Sequence, residues 1–360
     1  MLHRYTLLVL FLLYAVLLFQ FFREKDRVAG ANWVAAAMAV WPFILLDEII
    51  RAFDLPLAAL SSLVVFVPLL CLTLLYRSVK LLVIDNPPPS KLLLWLPVVI
   101  AVVAQAPLWF VSVSEKSAWL QASPVGHPLD NWVLYLAYMI TGFGMLVMGI
   151  VITEMIQNYH RHLSCQVVDV REYKVRWLGG AMGITVGLGF CCVLLVTAGA
   201  FGFFDITFWQ SLFNVLFAIA MLQTFIAVLR PQHTSPSPLD YRRLEELKAQ
   251  QCVMREALVK AEQAMSSMEA YKTPGLQLKA FAKNCDADPT TLIIALRLLE
   301  KRDFRSFVYQ YRLAYAKSEL ISQDSQLAAT AKRLGIHSEQ FLSGAMMNHI
   351  RREKSLAPAE

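Results

Sequence analysis

Tryptophan is missing from the last 130 residues of the chain, and all eight copies lie before residue 230. Lysine and arginine are missing from the interiors of the long apolar runs, where acidic residues stand only near run ends: Asp47, Glu48, Asp130, Glu154 and Asp205. Charges inside a bilayer are costly and are kept where ions or protons move, so this absence argues against ion-coupled transport. The six cysteines, at 71, 165, 191, 192, 252 and 285, form no CxxC pair and no zinc-ligand spacing. Neither a disulfide framework nor a metal or cofactor site is implied. His160, His162 and Cys165 lie close together in "NYHRHLSC", but an HxH on a helix points its two imidazoles apart. No Ser/His/Asp set and no phosphate-binding loop is present, so nothing indicates an enzyme.

What the chain does have is unevenly placed. Of 360 residues 57% are hydrophobic and 17% charged, too apolar for an ordinary soluble protein. Residues 231–360 nevertheless hold 19 of the 33 Lys+Arg and 15 of the 27 Asp+Glu. The expected division is a membrane domain over 1–230, a linker with a helix over 231–270, and a soluble head over 271–360. The expected fold class is all-α.

Seven apolar runs approach the roughly 20 residues that a bilayer-spanning helix needs. They fall at about 5–22, 30–47, 57–76, 92–113, 132–153, 178–201 and 207–229. The second is the weakest, because Asp47 and Glu48 trim its end. The first has no small-residue cleavage site and is followed by "FFREKDR", so it reads as an uncleaved span. Loops 23–29, 77–91 and 154–177 carry ten Lys/Arg, against three (Arg4, Arg51 and Lys116) on the opposite side. This bias puts the N-terminus outside and the head in the cytoplasm. The largest external loop, 114–131, reads as short and irregular. Gln105, Asn214 and Gln223 are the main interior polar groups, fitted either to bind a small-molecule or membrane-derived signal or to hold helices together.

"RPQHTSPSPLD" (230–240) breaks the last span with three prolines. Beyond it Leu244, Leu247, Gln251, Met254, Leu258, Ala261, Met265 and Met268 recur in steps of three and four. That spacing is the seam of a coiled coil and predicts a homodimer through 244–268, with an amphipathic helix packed on its own domain as the alternative. The 239–270 stretch would form a rod about 48 Å long.

The last ninety residues contain a helix, tight turn and helix twice. In the first copy Leu278, Phe281 and Ala282 form the inner face, "NCDA" the turn, and Asp288 caps a helix with Pro289 in its first turn and Leu292 and Leu296 inward. A long connecting helix follows Asp303. In the second copy Leu327, Ala331 and Leu334 lie inside, Gly335 turns, Ser338 caps, and Leu342 and Met346 pack.

These residues resemble the DNA-binding domain of the AraC/XylS family of bacterial transcription regulators. "DFRSFVYQYRLAYAKSELI" is similar to the family's linker helix through Phe304, Phe307, Arg312, Leu313, Ala316 and Leu320. "LAATAKRLGIHS" is similar to its second turn through Leu327, Thr330, Ala331, Gly335, Ile336 and Ser338. The resemblance covers 276 to about 350, roughly a fifth of the chain, and leaves the spans outside it. There are departures. Ile293 and Ile294 stand where the family has Ser-Arg, Lys301 stands where it has glycine, and 338–348 carries no basic residue.

The resemblance implies a two-copy helix-turn-helix fold and a double-stranded DNA partner. Residues 272–360 carry 14 Lys+Arg and 9 Asp+Glu, a net of +5. Thr290, Thr291, Arg297, Gln340, Ser343 and Asn348 are candidates for base edges, and Lys301, Arg302, Arg305, Lys332, Arg333, Arg351 and Arg352 for phosphates. The expected protein is a multi-pass regulator of the bacterial inner membrane, in contact with lipid, sensing through its spans and binding DNA from the cytoplasm. One alternative is a head that docks a partner protein through the apolar Ile293–Ile294 surface. Another makes the spans the main activity.

Overall fold

The structure, a computed structural model, describes residues 2–53, 56–84, 92–203, 206–230, 250–322, 327–334 and 344. The chain divides into two compact units, Met1–Asn158 with Val175–Gln232, and Tyr159–Lys174 with His233–Glu360. Every described element is helical apart from one isolated antiparallel bridge.

The first unit is built from α1 (Leu2–Glu24), α2 (Ala31–Val40), α3 (Leu46–Phe53), α4 (Val67–Val83), α5 (Leu96–Gln105), α6 (Val113–Gln121), α7 (Trp132–His162), α8 (Arg176–Phe201) and α9 (Thr207–Leu229). Among the described residues six helical stretches are long and apolar enough to cross a membrane: 4–27, 31–53, 92–110, 132–165, 176–201 and 207–229. Their outward faces are apolar: Leu12 and Phe19 of α1 are 68% and 72% exposed. Such a surface is a liability in water and suits lipid. This is a membrane protein.

The third expected span, 57–76, takes another form. Residues 58–66 run through turns, and α4 begins at Val67 with Pro68 in its first turn. At 17 residues α4 is about 25 Å long, short of a ~30 Å hydrocarbon core. Side chains replace the missing helical bonds before it. Gln105 Oε1 accepts from Phe66 N at 3.1 Å, and Gln105 Nε2 donates to Leu63 O. Irregular backbone at membrane depth persists where it is satisfied inside protein. Gln105 is therefore a fastener, and hydropathy cannot register that exchange.

The second span also differs. It continues past Asp47 and Glu48 to Phe53, bent through a 3-10 turn over Trp41–Leu45. Glu48 is fully buried yet satisfied: Arg51 Nη1 lies 3.1 Å away, Ser211 Oγ donates at 2.7 Å and Asn214 Nδ2 at 3.1 Å. The 114–131 loop contains α6, capped by Ser112, whose Oγ accepts from Glu115 N. Gln223 is exposed.

Helices α7 and α8 meet closely through small residues. A Cβ added at Gly189 would lie 3.0 Å from Leu146 N, and one added at Gly149 would lie 2.9 Å from a Val186 methyl. Small residues at such crossings let backbones approach where lipid supplies no hydrophobic drive.

The second unit contains α10 (Gln251–Ser267), α11 (Leu278–Asn284), α12 (Pro289–Leu298), α13 (Phe304–Ser322) and α14 (Leu327–Arg333). Its main core joins Ala261, Ala264 and Met265 of α10 to Phe281, Leu292, Leu296, Phe304 and Phe307. A smaller cluster holds Leu313, Ala316, Ala331 and Leu334. The stripe expected at a coiled-coil seam is partly covered within this unit, as the alternative of a helix packed on its own domain has it. Met254, Ala261 and Met265, expected at a dimer seam, are buried inside this unit, while Gln251 and Met268 are exposed. These buried side chains pack against α11 to α13 of the head. Leu244 and Leu247 lie outside the described residues.

Candidate functional site

The head is assembled from local signals. Asp288 caps α12, its Oδ2 accepting from Thr291 N at 2.8 Å and from Thr291 Oγ1 at 2.9 Å, with Pro289 where a missing N–H costs nothing. Asp303 Oδ1 accepts from Ser306 N at 2.8 Å at the start of α13. Between them Arg302 N bonds to Leu296 O at 3.1 Å, and Lys301 adopts φ +53°, the left-handed region that favours glycine. Leu278–Asn284, the turn at 285–288 and Pro289–Leu298 therefore form a helix, a turn and a helix, as the sequence led us to expect.

Arg312 of α13 is fully buried. Its Nε donates to Tyr271 O at 2.8 Å and an Nη donates to Thr273 O at 2.9 Å. The guanidinium carbon lies 5.6 Å from the centre of the Tyr309 ring. Burial lowers its pKa from the ordinary arginine value, partly offset by the charge of Asp169. Arg312 thus ties the 271–273 turn to α13 and acts in the fold, with no surface to offer a ligand.

The base-edge candidates are placed unequally. Thr290 and Thr291 are half-buried at the start of α12, and the Thr291 hydroxyl is spent on Asp288. Arg297 is exposed at the other end. Every residue from Leu292 to Leu296 is buried. The inward pair was expected; Ile293 and Ile294 were not. Ile294 packs with Met254 of α10, so the apolar surface expected to dock a partner is already covered by the chain itself. Helix α12 offers its two ends and no exposed middle. Gln340, Ser343 and Asn348 lie outside the described residues, as do Gly335 and Ser338 of the second copy.

Among the phosphate candidates, Lys301 and Lys332 are exposed. Arg302 donates to Gln310, Arg305 lies over the Tyr309 ring, and Arg333 pairs with Glu319 at 3.1 Å. Lys279 and Lys283 of α11 add exposed positive charge that sequence reasoning had not singled out. Arg351 and Arg352 lie outside the described residues. Among the described residues no group of three or more His, Cys, Asp or Glu is placed to hold a metal.

The feature that sequence reasoning missed is the 159–174 segment. The sequence presents it as a loop between two spans, and the structure builds it into the head. Val167 pairs with Gln277 in the antiparallel bridge, through Val168 N to Leu276 O at 3.2 Å and Leu278 N to Gln166 O at 2.8 Å. Gly275 N donates to Asp169 Oδ2 at 3.1 Å, and Gln277 Nε2 to the Tyr173 hydroxyl at 2.9 Å. Leu163 and Val168 have no exposed surface, and Val168 belongs to the main core of the head. The only hint in sequence is the "QVV" run at 166–168, too short to carry a periodicity. Comparison with protein-family models, with curated proteins and with solved structures finds no match.

Proposed function

We propose that the chain is a membrane-bound, one-component transcription regulator, with a seven-crossing sensor unit and a cytoplasmic double helix-turn-helix head of AraC type that binds DNA. The observation that carries the reading is the burial of Leu163, Val167 and Val168, from the connection between α7 and α8, within the head. A change in the spacing or pitch of α7 and α8 then acts on the head's own core. Segments that share a core lie on one side of a bilayer, so an even number of crossings must separate them, and α8 and α9 supply two. With α4 and its preceding turns as the third crossing, five precede residue 159 and the N-terminus lies on the other side. The Lys/Arg bias supports a head on the inner side, as in a regulator of a bacterial inner membrane. Exposed Lys279, Lys283, Arg297, Lys301 and Lys332 support phosphate contact, and the N-terminal end of α12 supports end-on entry into a major groove.

One observation favours a second reading, in which the head binds a protein: the buried middle of α12 has no side chain left for base edges. DNA binding by the full chain in lipid nanodiscs, followed across a salt series, separates the two. The DNA reading expects affinity to fall steeply with salt, and Arg297→Ala to weaken it about three- to tenfold. Folded protein that gives no salt-sensitive binding to any duplex assigns the head to a protein partner.

A further inference from the structure

Threonines in the apolar helices of this protein follow a pattern. Thr73, Thr185, Thr197 and Thr224 each donate their hydroxyl to the carbonyl four residues back, at 2.9, 3.0, 2.7 and 2.8 Å. Thr141 and Thr153 of α7 do not. Thr141 is 3% exposed, and its hydroxyl has no partner among the described residues. A buried hydroxyl left unpaired in an apolar setting is costly, so something not made of protein is expected to meet it.

Thr141 lines a pocket of about 70 Å³ that lies wholly within the membrane unit. The walls are mostly apolar, with Met145, Cys192, Leu195 and Phe213 among them. Most polar groups at its edge are already committed. Gln210 accepts from Ser123 Oγ at 2.7 Å and donates to the Tyr138 hydroxyl at 3.0 Å, and Asn214 donates to Glu48. Tyr138 thus accepts from Gln210, and among the described residues no acceptor takes its hydroxyl proton. Tyr138 and Thr141 stand three apart on α7, on one face, so the pocket offers two neighbouring donors over an apolar floor. No Lys or Arg lines it, so an anion would be uncompensated, and Glu48 is already paired with Arg51.

We propose that this pocket binds a small uncharged molecule with one hydrogen-bond acceptor, such as a ketone or amide, on a short apolar body. Its volume corresponds to about five water-sized positions at ~10–15 Å³ each, which fits a ligand of roughly five heavy atoms. The acceptor meets Thr141 and Tyr138, and the apolar end meets Met145 and Leu195. Thr141 stands on α7, the helix that ends at His162. The pocket therefore gives the regulator its stimulus class, yet it rests on the membrane unit alone. Binding here and binding of DNA can each fail without the other.

The test uses the full chain in nanodiscs and three probes of five heavy atoms: 2-butanone, n-pentane and propionate. Saturation-transfer NMR is read against empty nanodiscs. 2-Butanone is expected to bind above the empty-disc background and more tightly than pentane or propionate. Thr141→Val, which keeps the shape and removes the hydroxyl, is expected to weaken it roughly five- to tenfold. Leu195→Trp, which fills the pocket, is expected to abolish it. Thr153→Val, which removes another unpartnered hydroxyl of α7 that does not line the pocket, is expected to leave binding unchanged. The Thr141 and Thr153 pair decides the matter even where the tryptophan variant does not fold. No binding above empty discs means a site filled by water alone and overturns the proposal. Equal binding by Thr141→Val, or tighter binding of propionate, overturns it too.

Discussion

The two units are turned inside out with respect to each other. In the membrane unit the exposed surface is Leu, Val and Phe, while Glu48, Gln105 and Lys116 sit inside with almost no exposure. Among the described residues of the head the apolar side chains are mostly inside, Leu298 is one of few large exposed ones, and Arg312 is a charge kept within. The difference reflects the solvent each surface meets. Its lesson concerns the buried polar side chains, which play one role in both units: Gln105 holds the turns before α4, and Arg312 holds the 271–273 turn on α13. Each replaces backbone hydrogen bonds that a regular helix would have made for itself.

Val168→Asp tests this contrast most severely. It puts a carboxylate into the head's core from a segment that the sequence presents as a membrane loop. The expected loss is about 3–5 kcal/mol, confined to the second unit. Hydrogen exchange should lose protection in α11 to α13 and keep it in α7 to α9. Unaltered exchange in the head would take 159–174 out of its core. The same reasoning expects a fragment starting at 250 to be far less stable than the head within the full chain.

Arg312→Ala comes next, at about 3 kcal/mol, because two carbonyls lose a charged donor and a cavity opens. Limited proteolysis should open the chain near 271–275 first. Gln105→Leu is the counterpart in the membrane unit, at about 2–4 kcal/mol, since Phe66 N and Leu63 O then lack a partner away from water. Its reading is thermal unfolding in detergent, and the loss should spare the head. Equal losses in both units from either substitution would end the idea that each polar fastener acts locally. Lys301→Gly is the smallest change and has the opposite sign. Relief of the left-handed strain at φ +53° outweighs the entropy of glycine by about 0.5–1 kcal/mol, seen as a modest rise in the head's melting temperature.

Several parts of this picture were legible in the residues. The caps at Asp288 and Asp303 and the inward Leu292 and Leu296 follow from local chemistry and helical spacing, and the structure places them as expected. The stripe on α10 was legible as a stripe, but its partner was not: spacing says that Met254, Ala261 and Met265 must be covered, and the fold covers them with α12. Ile293 and Ile294 were misread for the same reason, since an apolar pair looks like a free surface until the helix above it is known. The α4 region was misread because hydropathy counts apolar residues and cannot see Gln105 supporting turns among them. Nothing local marks Thr141, whose significance lies in a carbonyl it does not bond and a pocket formed by distant residues.

By itself the sequence determined which lengths of chain are strongly apolar, which are charged, and where helices of the head such as α12 and α13 start. Hydrophobicity, capping and backbone preference act over a few neighbouring residues, so they can be read along the chain. Only the tertiary structure decided what covers each apolar stripe, which buried polar group is satisfied, and that the connection between α7 and α8 is part of the head. Those outcomes depend on contacts between residues far apart in the chain, such as Val168 with Leu276, and a stretch of sequence does not name its distant partner.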